Sequence, residues 1–342
     1  MRDEKKISAE EKYYLASQWQ LMMRKFKKHK LAVFGGAILA IFYLLAMFCG
    51  FFSPSDIYKR HIKNVYCPPQ RIHFFDEQGF HLRPFVYGLK KKINPRTLQP
   101  TYTEDKTKKY SIHFFVQGDK YKFWNLFTTD IHFFGGEGGT IFLFGRDLFS
   151  RNLYAARISL SIGLVGVALS FILGCTLGGI SGYFGGAADM IIQRVIEFLI
   201  SIPTIPLWMA LSAALPPYWS SIKVYFGITI ILSIVGWPGL ARVVRGKLIS
   251  LREEDFAMAA KIAGASEGRI IIRHLLPSFL SYLIVNLTLT VPGMILGETA
   301  LSFLGLGIRP PAVSWGTLLQ DAQAVQTVVI YPWLLFPGLF VI

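Results

Sequence analysis

The sequence is short of charge, short of acid and nearly without cysteine. Charged residues make up 17% of its 342 positions, where soluble domains carry about 25%. A pair of ordinary soluble domains, the usual expectation for this length, is therefore excluded. Three cysteines cannot build a disulfide scaffold. The chain has no Gly-x4-Gly-Lys-Ser/Thr loop to cradle nucleotide phosphates, no His-Glu-x-x-His, and no conspicuous nucleophile–histidine–acid constellation. No catalytic residue is expected. What the chain does have is apolar: 52% hydrophobic residues and a mean hydropathy of +0.42. Against 21 acids stand 36 Lys and Arg, a net charge of +15. A chain both apolar and basic keeps those properties in different places, as a polytopic membrane protein does.

The apolar runs place the spans. Leu31 to Phe52 is 22 residues without a charge, enough to cross a hydrocarbon core of about 30 Å. Further spans are expected at 158–181, 190–215, 225–241 and 279–304. A sixth begins near 329 and is expected to continue beyond Ile342. Residues 1–30 carry nine Lys and Arg, and 242–278 carry seven. The basic-loop rule then puts 1–30, 182–189 and 242–278 in the cytoplasm. The segment 53–157 falls outside with +8 of the net charge; loops longer than about 60 residues translocate regardless of charge. Nothing in this distribution is a nucleic-acid footprint.

The parts are expected as follows. Residues 1–30 hold a cytoplasmic amphipathic helix at 8–28. Ser8 and Glu11 have capping-box spacing, and Leu15, Trp19, Met22 and Phe26 share a face. It serves as a topology anchor or as an elbow around a partner subunit. Residues 31–52 are the first span, 53–150 an extracytoplasmic insertion, and 151–342 a transmembrane core with the cytoplasmic loop 242–278. The insertion repeats Ile-His-Phe-Phe at 72–75, 112–115 and 131–134, and alternation at Tyr110–Val116 and Thr140–Phe144 predicts short strands between turns. Its histidines, His61, His73, His81, His113 and His132, have no compact ligand spacing. They read as strand residues, and no metal site is expected.

Within the spans, Gly174, Gly178, Gly182 and Gly186 recur every four residues, a stripe that lets another backbone approach. Pro203, Pro206, Pro238 and Pro292 predict breaks beside neighbouring helices or a water-filled cavity. Glu298 is a carboxylate deep in a span, where it either bonds a neighbouring helix or lines a conduit. Glu197 is placed to pair with Arg194 near the surface.

The loop 242–278 is the most telling segment. It predicts a short helix capped by Ser250, with Glu253, Glu254 and Asp255 in its first turn and Gly264 at its end. Ala259, Ala260 and Ala263 leave a low surface that a groove on another protein could grip. A second helix leads from Ser266 to Pro277. Met258-Ala259-Ala260, Gly264, Leu276 and Pro277 fall where the coupling motif of ABC-importer permeases has Glu-Ala-Ala, Gly and Leu-Pro; Met258 replaces its Glu and His274 its Ile. The ending Arg273-His274-Leu275-Leu276-Pro277 resembles the oligopeptide/dipeptide/nickel branch. So do Gly145–Arg151, Tyr154–Leu160, Ser302–Gly307 and Pro310–Gly316, which are similar to its C-type subunit. The long outer insertion resembles a sub-branch with an extended first extracytoplasmic loop.

That resemblance implies an all-α polytopic six-helix type I importer permease, its sixth helix incomplete, with a small β-rich insertion. The function implied is half of a conduit for oligopeptides or dipeptides in a bacterial inner membrane. Implied partners are a homologous second permease, two cytoplasmic ATPases and an extracytoplasmic solute-binding protein. ATP and Mg would sit on the ATPases, leaving no cofactor on this chain. Contacts with them would come from Asp255, Met258, Ala259, Ala260, Ala263, Gly264, Ala265, Arg269, His274 and Pro277. Relatives that carry nickel or short oligosaccharides are one alternative. A self-contained secondary transporter or channel is another, but it would show inverted halves and several midplane charges.

Overall fold

The computed structural model describes residues 23–24, 26–54, 57, 67–76, 79–93, 95, 100–124, 126–136 and 148–342. Most of the helix expected at 8–28, together with His61, the strand expected at Thr140–Phe144 and residues 145–147, lies outside them. The first apolar run forms α1, Lys30–Met47, and a short α2, Cys49–Phe52. After the insertion come α3, Leu148–Phe184; α4, Gly186–Ser201; α5, Thr204–Ala213; and α6, Ser221–Leu251. The short α7, Asp255–Ile262, precedes α8, Leu280–Phe303. Short helices α9, Trp315–Gln320, α10, Val325–Ile330, and α11, Gly338–Val341, close the chain. Among the described residues, α1, α3, α6 and α8 are each long and apolar enough to cross a membrane.

Three expectations are corrected here. The run 190–215, read as one span, is two helices, α4 and α5, bent by 92°. Pro203 forces the break: the residue before a proline is pushed out of the helical region, and Ile202 is extended at φ −93° and ψ 130°. Second, α6 does not stop at 241 but runs ten residues further to Leu251. Leu248 is fully buried there and holds the extra turns, although the sequence has turned charged. Third, the last apolar run is not a continuous helix. A 3-10 turn at Pro332–Leu335 interrupts it, since Pro332 lacks the N–H a helix interior needs.

The insertion is an antiparallel meander, β1-β2-β3-β4, over His73–Asp76, Gly79–Ile93, Pro100–Phe123 and Phe127–Gly136. Its strands are longer than expected, because residues read as turn signals lie inside them. Gly88 sits at a register shift against β3. Gly118 lies in another shifted stretch, where a Cβ would come within 2.6 Å of the His132 ring. The sheet is fastened to the end of α1 and to α2. Trp124 donates to the Met47 carbonyl at 2.9 Å, Phe51 packs on Phe133, and buried His132 faces the carbonyls of Ser53 and Asp119.

Helix α3 is the axis of the membrane part. It packs on α1, α8 and α9 through Ala155, Ala156, Leu160, Ile295 and Trp315. It also packs on α6 and α8 through Ile162, Val167, Ile228, Leu232 and Met294.

Candidate functional site

The segment 252–279 folds as a helix–glycine–helix unit, with a different cap from the one expected. Ser250 is still inside α6; Glu254, extended at φ −73° and ψ 151°, takes the N-cap position of α7. Of the three acids, Asp255 alone lies in the first turn. The helix ends as predicted. Gly264 is left-handed at φ +79°, a conformation costly for any residue with a Cβ. The Ala265 N–H then reaches back to the Ala260 carbonyl at 3.1 Å, closing a Schellman turn. Ser266 takes the N-cap position of the next stretch, Glu267–Arg269, which runs into a π-helical turn over Ile270–Leu275 and then Leu276–Ser278. Wide turns of this kind recur at functional sites.

The unit has a rooted side and a free side. Ala257, Ile270, Ile271, Leu275 and Phe279 are buried in one cluster with Leu240, Val244 and Leu248 of α6 and Leu283 of α8. Pointing away are Phe256, Met258 and Ile262, 42%, 47% and 84% exposed, with Ala259, Ala263, Gly264, Arg269 and Pro277 exposed beside them. Ala260, Ala265 and His274 are half-buried. Phe256 and Ile262 were missed by the motif-based reading. Two large apolar residues in a charged surface segment were the signal available.

Behind this unit, α3 and α6 meet along the glycine stripe. A Cβ on Gly178 would stand 2.5 Å from the Ala241 carbonyl oxygen, and one on Gly182 would stand 2.6 Å from that of Arg245. A Cβ on Gly174 would stand 2.9 Å from the Leu240 side chain. Gly186 is not part of the stripe: it turns the chain at φ +56°, with open space around it. A charged clamp closes the same end. Arg245 donates through both Nε and a terminal nitrogen to Asp189, each at 2.6 Å, a paired geometry that fixes orientation as well as contact. Ser181 also donates to Asp189 at 2.5 Å, and Arg252 donates to the Tyr183 carbonyl at 3.2 Å. Asp189 and Arg245 are 56 positions apart, and nothing in the sequence pattern pairs them.

Glu298 lies on α8, fully buried at 0% exposure. Ser159 of α3 donates to one carboxyl oxygen at 2.8 Å and Ser302 to the other at 2.6 Å. The two serines in turn accept from the Trp315 and Ile308 amides. The carboxyl thus ties α3, α8 and the segment before α9 together. Pro203 and Pro206 are exposed around the α4–α5 break, whereas the breaks expected at Pro238 and Pro292 do not occur: both lie inside continuous helices, α6 and α8. Arg194 and Glu197 pair at 2.7 Å on the surface. In the sheet, His81 contacts Asp76 at 2.8 Å and His73 contacts Glu104 at 3.4 Å. Among the described residues no group of three or more His, Cys, Asp or Glu could hold a metal ion.

Residues 174–342 match the family model of the binding-protein-dependent transport system inner membrane component. Residues 17–69 match the N-terminal TM domain of oligopeptide transport permease C. A dipeptide transport system permease protein of Alkalihalophilus pseudofirmus is 33% identical over 96% of this chain and 85% of its own length. The chain belongs to the oligopeptide/dipeptide permease family of ABC importers. An oligopeptide transport system permease protein of Bacillus subtilis is 29% identical over 95% of the chain and 83% of its own. One of Haemophilus influenzae is 40% identical over 64% of the chain and 68% of its own. The permease is a multi-pass inner membrane protein. The first family match takes in the glycine stripe, the α7–Gly264 unit and Glu298.

Proposed function

We propose that this permease is the transmembrane subunit of an ATP-driven importer and forms half of the conduit through which oligopeptides or dipeptides enter the cell. The relatives' names support the substrate class. The observation that carries the mechanism is the two-sided α7 unit, rooted at Ala257 in a core shared with α6 and α8 and apolar on its free side. In this reading α7 sits in a groove of a cytoplasmic ATPase. Met258, Ala259, Ala260 and Ala263 line the contact, and Gly264 lets α7 fold back on the helix behind it. When ATP closes the ATPase pair, the push on α7 passes through the buried cluster into α6 and α8. The stripe and the Asp189–Arg245 clamp make α3 follow as one body, and the conduit opens outward.

The remaining parts follow the same reading: a six-helix type I fold, an N-terminus at 1–30 in the cytoplasm, an extracytoplasmic domain at 53–150, and a core at 151–342 whose loop 242–278 faces the cytoplasm. A homologous permease, two ATPases and a solute-binding protein complete the assembly, and hydrolysis takes place on the ATPases. Selectivity lies mostly in the binding protein. Gly264→Leu tests the mechanism, because a left-handed leucine tilts or unwinds the end of α7. The variant is expected in the membrane at normal level, with peptide uptake and substrate-stimulated ATPase activity both lost. Normal values of both would refute the proposal.

A further inference from the structure

The membrane part contains a cavity of about 140 Å³ between α3, α6 and α8. Its polar wall is Ser170 of α3 with Asn286 and Thr290 of α8, and Gly236 and Gly239 present bare backbone from α6. No ionisable group lines it. Two of the polar side chains are already engaged. Ser170 donates to the Ser233 carbonyl at 3.0 Å, and Thr290 donates to the Asn286 carbonyl at 2.7 Å. The Asn286 carboxamide is different: among the described residues it has no hydrogen-bond partner. An amide offers two donors and an acceptor oxygen, and the half-buried Asn286 leaves them open to whatever enters the cavity.

The position of the cavity gives it a use. Leu240, in its wall, also belongs to the cluster that buries Ala257 of α7. Leu283, one helical turn before Asn286, belongs to the same cluster. The cavity therefore lies directly behind the packing that transmits movement of α7. A Cβ on the exposed Gly239 would meet nothing within 4 Å, so a larger side chain fits beside the cavity there.

We propose that this cavity is a seat for one backbone amide of the peptide in transit, held by the Asn286 carboxamide. This inference rests on the peptide-importer reading and deepens it. A carboxamide pairs with a secondary amide donor to acceptor and acceptor to donor. An uncharged wall is indifferent to side-chain charge and to the chain termini. The volume suits one residue. Such a seat recognises what all peptides share, while Thr290, bonded to the Asn286 carbonyl, keeps that turn in place.

The test uses the complete importer with its binding protein in proteoliposomes. The probes are tri-alanine and its ester analogue, in which an oxygen replaces the central N–H, each supplied at saturation of the binding protein. Wild-type importer is expected to move the ester roughly tenfold more slowly, about the value of one lost hydrogen bond. Asn286→Leu is expected to slow tri-alanine by a similar factor and to erase the difference between amide and ester. Asn286→Gln should restore part of it, and Gly239→Val should slow transport by filling the seat. An Asn286→Leu importer with the wild-type rate and an intact amide preference would overturn the proposal. So would failure of that variant to assemble, since Asn286 would then be a subunit contact. If wild-type importer moves no peptide but does move nickel or an oligosaccharide, the peptide reading itself fails. Normal peptide uptake with Asn286 indifferent removes only the seat.

Discussion

The α3–α6 seam and the four-stranded sheet both rely on glycine, for opposite reasons. In the seam, glycine is the contact: Gly178 and Gly182 let two helix backbones touch. Lipid gives apolar side chains little reason to prefer one another, so packing must come from close approach. In the sheet, Gly88 and Gly118 sit at register shifts and make room for side chains, while the buried apolar core there is small, chiefly Phe85, Val86 and Ile112. Several other large residues stay outside, with Leu82 87% exposed and Phe115 67% exposed. The seam is therefore a close backbone-to-backbone joint. The sheet is a broad surface held by its ladders and by its attachment to α1 and α2.

This contrast can be broken at several points. Gly178→Leu should have the largest effect, because the new side chain meets the Ala241 backbone, which cannot move aside. Overpacking of this kind costs about 3 kcal/mol or more. The variant should fail to accumulate in the membrane, whereas Gly246→Ala, with open space around it, should accumulate normally. Asp189→Asn should follow. The Asp189 and Arg245 side chains are 21% and 33% exposed, so the loss is about 1–2 kcal/mol, below that of a fully buried pair. It should appear as a lower Tm in detergent, with α4 and α6 exchanging amide protons faster at their clamped ends.

The smallest effect belongs to the sheet. The Thr107 hydroxyl and the Lys90 amine hold the Asp105 carboxyl below its usual range. A carboxyl depressed by folding stabilises above its unfolded pKa of about 3.9 and loses that contribution as pH falls through the folded value. Protection of the β2–β3 ladder should therefore be flat from pH 7 to 5 and weaken below about pH 4. Asp105→Asn should remove that dependence and leave the α3–α6 seam unaffected.

How much of this was legible follows from what each feature depends on. The spans at α1, α3, α6 and α8 were readable because an uninterrupted apolar run has few other uses. Gly264 was readable because helix ends have a local chemistry. The same local logic misplaced the cap at Ser250, since burial of Leu248 carries α6 past it. Hydropathy alone could not place the 92° break, because both sides of it are apolar; the prolines at 203 and 206 were its mark in the sequence. The strands were read too short because Gly88 and Gly118 look like turns until a partner strand supplies the bulge. The Asp189–Arg245 clamp and the Asn286 cavity were out of reach. Each joins residues on different helices, and no spacing rule connects them.

The claim on which the rest depends is that the free face of α7 is an ATPase contact, with Ile262, 84% exposed, at its edge. It is tested most directly by co-purifying the ATPase pair with the full-length permease carrying Ile262→Asp. The contact predicts that the variant inserts and survives heating like the wild type but retains less than a tenth of the ATPase, which corresponds to about 1.4 kcal/mol of lost binding. Undiminished retention of the ATPase pair would contradict it.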